Sequence, residues 1–142
     1  MPSRRALASA DRTLPPWGEV EGLSEILRGH LLEPRGAGAF SGGEAGPVAT
    51  GRAENPPCGD ELLLHLRLGP DGRLEARFQA KACSAVLAVA SLVCEALAGQ
   101  TPDAARALDL GQLVGAAGGL PPTRRHAQAV AARALEQALA RL

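Results

Sequence analysis

The strongest signal along the chain is a change of hydrophobic period near its middle. From Glu61 to Leu68, Leu62, Leu64, Leu66 and Leu68 alternate with Leu63, His65 and Arg67, the period of two expected of a strand with one buried face. Gly69-Pro70-Asp71-Gly72 supplies turn chemistry. Leu74, Ala76, Phe78 and Ala80 then alternate with charged and polar residues up to Lys81, so the two runs predict a β-hairpin. Near Cys83 the period becomes 3.6. Val86, Val89, Ala90, Val93, Ala96 and Leu97 form one helical stripe, and Gly99 is placed to end it.

The flanks are read in the same way. Ser24 caps a predicted helix through Glu25, Ile26, Leu27, Leu31 and Leu32 that stops before Pro34. Residues 36–47 read as a loop, and Val48–Ala53 as a short edge strand. Thr101-Pro102-Asp103 opens a short helix to about Leu108, with a further short helical piece to follow. Pro121-Pro122-Thr123 introduces a long final helix. Val130, Ala131, Ala134, Leu135, Ala138 and Leu142 are expected to face inward, and Arg133, Gln137 and Arg141 to face water. The predicted class is α+β, an antiparallel sheet covered by helices on one face. Residues 1–22 show no period that would bury a face and are expected to be a flexible tail, leaving 23–142 as the folded domain.

Composition narrows the function. The 142 residues carry 15 basic and 15 acidic groups, so no basic excess marks a nucleic-acid or anionic-membrane partner. No apolar run is long enough to span a bilayer, and the opening residues lack the apolar stretch of a secretory signal, so the expected location is cytoplasmic. Aromatic residues make up 2% of the chain, which leaves the core to Leu, Val and Ala. Three cysteines in such a chain point to thiol chemistry or metal ligation in preference to a disulfide framework.

Two of those cysteines stand in informative places. Cys58-Gly59-Asp60 ends the Pro-rich Asn55-Pro56-Pro57 turn, where a residue without a Cβ lets the flanking thiol and carboxylate converge. Cys83 lies where strand becomes helix, and the N–H groups and dipole of a helix start favour a thiolate. His126, at the start of the last helix, adds an imidazole compatible with zinc or iron. Cys94 follows Cys83 by eleven residues, about 16 Å along a continuous helix, and reads as a buried structural thiol. His30 and His65 read as structural.

In combination these segments resemble the IscU/NifU-type iron–sulfur cluster scaffold family, including its SufU-like members. The matching pieces are Glu33-Pro34-Arg35 after a helix with His30, Asn55-Pro56-Pro57-Cys58-Gly59-Asp60, Ala76-Arg77-Phe78 leading to Cys83, Ala90-Ser91-Leu92-Val93, and Leu120-Pro121-Pro122-Thr123-Arg124 with His126. The resemblance implies a three-stranded sheet with helices and a carrier, not an enzyme. It implies ligation of a [2Fe–2S] cluster or iron, or zinc in the cluster-free form, by Cys58, Asp60, Cys83 and His126. It implies sulfur receipt on Cys58 or Cys83 from a cysteine desulfurase, and transfer to apo iron–sulfur target proteins. An Hsp70-type chaperone would dock on Leu120, Pro121, Pro122 and Arg124. Three departures stand out: Ala127 replaces the family's third cysteine, Ala82 replaces a glycine, and Gly36 replaces an asparagine. Ala82 would be strained if the backbone there needed positive φ. Loss of the third thiol leaves two other readings open, a SufU-like zinc-dependent persulfide acceptor and a degenerate paralogue that binds only the desulfurase or chaperone.

Overall fold

The computed structural model describes residues 22–41 and 47–142. The expected tail, residues 1–22, lies outside the described residues except for Gly22, and Leu23, the first residue of the expected domain, is buried at 2% exposure. Helix α1 spans Glu25–Leu32, capped by Ser24, whose side chain accepts the N–H of Leu27. Strands β1 (Val48–Asn55), β2 (Asp60–Leu68) and β3 (Leu74–Lys81) form one antiparallel sheet in the order β1-β2-β3. Helix α2 spans Ser84–Leu97, followed by short α3 (Pro102–Arg106), α4 (Leu110–Ala116) and long α5 (His126–Ala140). The α+β class and the helices on one sheet face are as expected.

Several positions depart from the sequence pattern. Strand β1 runs on from Ala53 to Asn55 because it pairs with β2 along its whole length, from Val48 opposite Arg67 to Asn55 opposite Asp60. Leu68 and Leu142 are exposed, at 39% and 38%, because each sits at the end of its element beyond the reach of the facing layer. Helix α2 is buried on nearly every side, so the single stripe understates it. It runs through the middle of the molecule, with α1, α5 and the sheet against it. On the second sheet face, His65 and Arg67 are buried although polar. His65 is held by Thr50 Oγ1 and Gln79 Oε1, each at 2.8 Å, while Arg67 pairs with Glu75 and stacks on Phe40 at 4.5 Å. Their polar atoms are satisfied across the strands, which makes burial tolerable.

Helix α5 lies directly on β1. A Cβ placed on Gly51 would stand 1.8 Å from the carbonyl oxygen of Ala134, so glycine here is what lets the two backbones touch. Arg133, Gln137 and Arg141 are exposed but not merely solvated. Arg133 donates to Glu54 O at 2.8 Å, Gln137 accepts the Arg52 N–H at 3.0 Å, and Arg141 donates to Thr50 O at 2.7 Å. At the opposite edge, Phe78 bonds Gly36 and Gly38, and Leu74 bonds Gly99 and Gln100. Gly36 has a φ of 81°, and a Cβ placed there would stand 2.9 Å from Ala76 O and 3.0 Å from Cys94 Cβ, so glycine is the residue that fits where the family has asparagine.

Candidate functional site

Three separate starts meet at one rim: the start of β2, the start of α2 and the start of α5. Pro56–Cys58 forms a single 3-10 turn, and Gly59 then takes a left-handed conformation at φ 72°, its N–H donating to Pro56 O. This tight reversal leaves Cys58 exposed at the tip and delivers Asp60, 2% exposed, to the first position of β2. Cys83 occupies the N-cap of α2 without using its side chain as a cap, so its sulfur remains available to the rim. His126 is the first residue of α5, carried there by the 3-10 turn Pro122–Arg124.

The ligand atoms of Cys58, Asp60 and His126 all lie within 4.8 Å of one another. Cys83 Sγ lies 3.6 Å from His126 Nε2, and that nitrogen lies 3.1 Å from Asp60 Oδ2. The fold thus brings Cys58, Asp60 and His126 into one group and sets Cys83 beside it, against His126. Two sulfurs, one nitrogen and one carboxylate oxygen form a donor set suited to zinc or iron. Helices α2 and α5, the two longest among the described residues, both begin here, and the positive ends of their dipoles favour negative charge at the rim.

Asp60 ties the rim together. Its Oδ1 accepts the backbone N–H of Cys83 at 2.9 Å, and its Oδ2 accepts from Asn55 Nδ2 at 3.3 Å. Asn55 has no role in the sequence reading; the strand register places it opposite Asp60. Ala127 is fully buried in the core, and Cys58, Asp60 and His126 meet without it. No non-glycine residue among those described has positive φ, so Ala82 is not strained there.

The remaining candidates separate from the rim as expected. Cys94 is 2% exposed in the body of α2, and burial pushes its thiol up to about 12. His30 is buried between α1 and α2, with Nδ1 2.7 Å from Ser91 Oγ and Nε2 3.3 Å from Glu95. Ser91 Oγ also accepts the Arg35 N–H at 2.7 Å. Burial lowers the His30 pKa, opposed by the charge of Glu95. In the Leu120–Arg124 segment, Leu120 packs against the core and Pro122 is exposed. No helix among the described residues is long and apolar enough to cross a membrane.

A model of the NifU-like N-terminal domain matches residues 24–142. The bifunctional protein NifU/MnmA of Rubrobacter xylanophilus is 38% identical over 111 residues, covering 77% of this chain and 22% of that protein, so the chain spans about a fifth of that relative. The iron-sulfur cluster assembly scaffold protein IscU of Escherichia coli is 31% identical over 121 residues, covering 82% of this chain and 91% of that protein. The crystal structure of a NifU-like N-terminal protein from Brucella abortus superposes with a TM-score of 0.59 at 18% identity, covering 87% of this chain and 94% of the other. The chain belongs to the NifU-like N-terminal domain family.

Proposed function

We propose that residues 23–142 form a scaffold and carrier domain, not an enzyme, on which an iron–sulfur cluster is built as cargo and from which it passes to apo target proteins. The observation that carries this reading is the convergence of Cys58, Asp60 and His126 within 4.8 Å of one another, with Cys83 3.6 Å from the same imidazole. Iron–sulfur clusters are held by soft thiolates, and replacing some of these with imidazole and carboxylate weakens the hold. A carrier must release what it binds, so a mixed donor set at an exposed rim suits the task. The E. coli relative is itself named an assembly scaffold.

Cys58 is the proposed sulfur acceptor because it alone of the three cysteines is exposed. Its thiolate attacks the terminal sulfur of a persulfide on the desulfurase. A new sulfur–sulfur bond forms on Cys58, the old one breaks, and the desulfurase cysteine leaves as thiolate with no net redox change. The same exposure favours, as a second reading, a zinc-dependent persulfide acceptor in which zinc occupies the four donors. Leu120, Pro121, Pro122 and Arg124 run directly into His126 and are the proposed docking segment for an Hsp70-type chaperone. Free thiols at an exposed rim belong in a reducing compartment, which supports a cytoplasmic location.

The test is anaerobic incubation with ferrous iron, cysteine and a cysteine desulfurase, followed by absorption spectroscopy and metal analysis. A cluster charge-transfer band that disappears in Cys58→Ala and Cys83→Ala but persists in Cys94→Ala is expected. One zinc per chain without that band would move the conclusion to the sulfur acceptor. Absence of both metal and cluster would sink the scaffold reading.

A further inference from the structure

The geometry points to Asn55 as a positioning residue that holds the Asp60 carboxylate in the orientation that faces the other candidate donors. This rests on the reading that Asp60 is one of the four donors. Asn55 and Asp60 are the last register pair of β1 and β2, facing each other across the turn that presents Cys58. The Asn55 side chain is not spent on capping the 3-10 turn it precedes. Its amide instead donates to Asp60 Oδ2 at 3.3 Å.

An ionised carboxylate is an acceptor only, with two oxygens to share among its partners. Oδ1 of Asp60 is committed to the Cys83 N–H at 2.9 Å, a bond that also satisfies a backbone group at the start of α2. Oδ2 is the oxygen that faces His126, at 3.1 Å. With Oδ1 fixed by the backbone and Oδ2 steadied by Asn55, rotation of the carboxyl group is stopped at both ends. One lone pair remains directed at the other donors. Groups that orient a ligand in this way contribute to metal affinity without touching the metal.

The probe is zinc ion alone, with affinities of the metal-free chain measured by chelator competition at a temperature where every variant is folded. Asn55→Ala is expected to bind about 10- to 100-fold more weakly than the unaltered chain. Arg52→Ala removes the exposed contacts to Glu54 and Glu61 from the same strand, and is expected to match the unaltered chain. Asn55→Leu, close in size but without a donor, repeats the measurement and should behave as Asn55→Ala. If Asp60→Ala loses affinity while both Asn55 variants keep it, the positioning role is overturned and the four-donor site stands. If the unaltered chain binds no zinc, or Asp60→Ala binds as well as it does, the site reading fails and takes this proposal with it. Failure of both Asn55 variants to fold would overturn the proposal by assigning Asn55 to hairpin stability.

Discussion

Replacing Gly51 with alanine adds one methyl group where α5 crosses β1. The new Cβ would stand 1.8 Å from Ala134 O and 2.7 Å from Ala138 N, both backbone atoms that no rotamer change can move. Separations under 3.0 Å force a shift, so helix and strand must part by more than an ångström. Overpacking of a core contact costs about 1 to 3 kcal/mol, and a collision with backbone places this one near 3 kcal/mol. Loosening the three side-chain bonds from α5 to β1 adds about 1 kcal/mol. Urea denaturation followed by circular dichroism should show the midpoint falling by about 2 M. Gly29 is the internal control, since it lies in the middle of α1 with nothing within 4 Å of its added Cβ. Gly29→Ala should stabilise by about 0.5 to 1 kcal/mol through helix propensity alone. The same chemical change is thus expected to act in opposite directions at the two sites. A Gly51→Ala midpoint equal to that of the unaltered chain, or a shift of both variants in one direction, would refute the close-approach argument.

Three further outcomes are expected. Because burial lowers the His30 pKa from 6.5, the unfolded chain takes up the proton first as pH falls. The contribution of His30 is therefore fully present above pH 6.5 and lost as pH drops through the lower folded value, and urea midpoints should fall less steeply below pH 6.5 in His30→Gln. Alkylation followed by mass spectrometry should label Cys58 first and Cys94 last, since Cys94 is 2% exposed with its thiol pushed up to about 12. Rapid labelling of Cys94 in the native state would contradict its placement. Cys94→Ala should cost about 1 kcal/mol in unfolding titrations without changing zinc uptake, whereas Cys83→Ala should lose most of the bound metal.

The elements legible in the sequence are those whose burial follows a simple period. Strand β2 and the first turn of α2 could be placed because leucines and valines repeat at two and then at 3.6 residues. The end of β1 was hidden, since Gly51, Arg52 and Glu54 show no alternation and are held by β2 and α5, both distant in sequence. His65 and Arg67 looked like an open polar face because nothing local announces that Phe40, Gln79 and Glu75 would cover them. The four donors were legible as residue types in a family pattern. Their mutual distances were not, because Cys83 and His126 meet only when α5 folds back over the sheet. Asn55 was overlooked because an asparagine before two prolines reads as turn chemistry, and only the strand register shows its amide aimed at Asp60.

The three α5 side chains on β1 have a consequence for how other molecules approach. Thr50 O, the Arg52 N–H and Glu54 O are the groups that an added strand would use, and each already has a partner. At the opposite edge, the backbone groups of Phe78 and Leu74 are taken by backbone partners at Gly36, Gly38, Gly99 and Gln100. These bonded groups are thereby closed to β-augmentation and edge-to-edge pairing. Exposed Cys58 stands instead at the corner where the β1–β2 turn and two helix starts are presented.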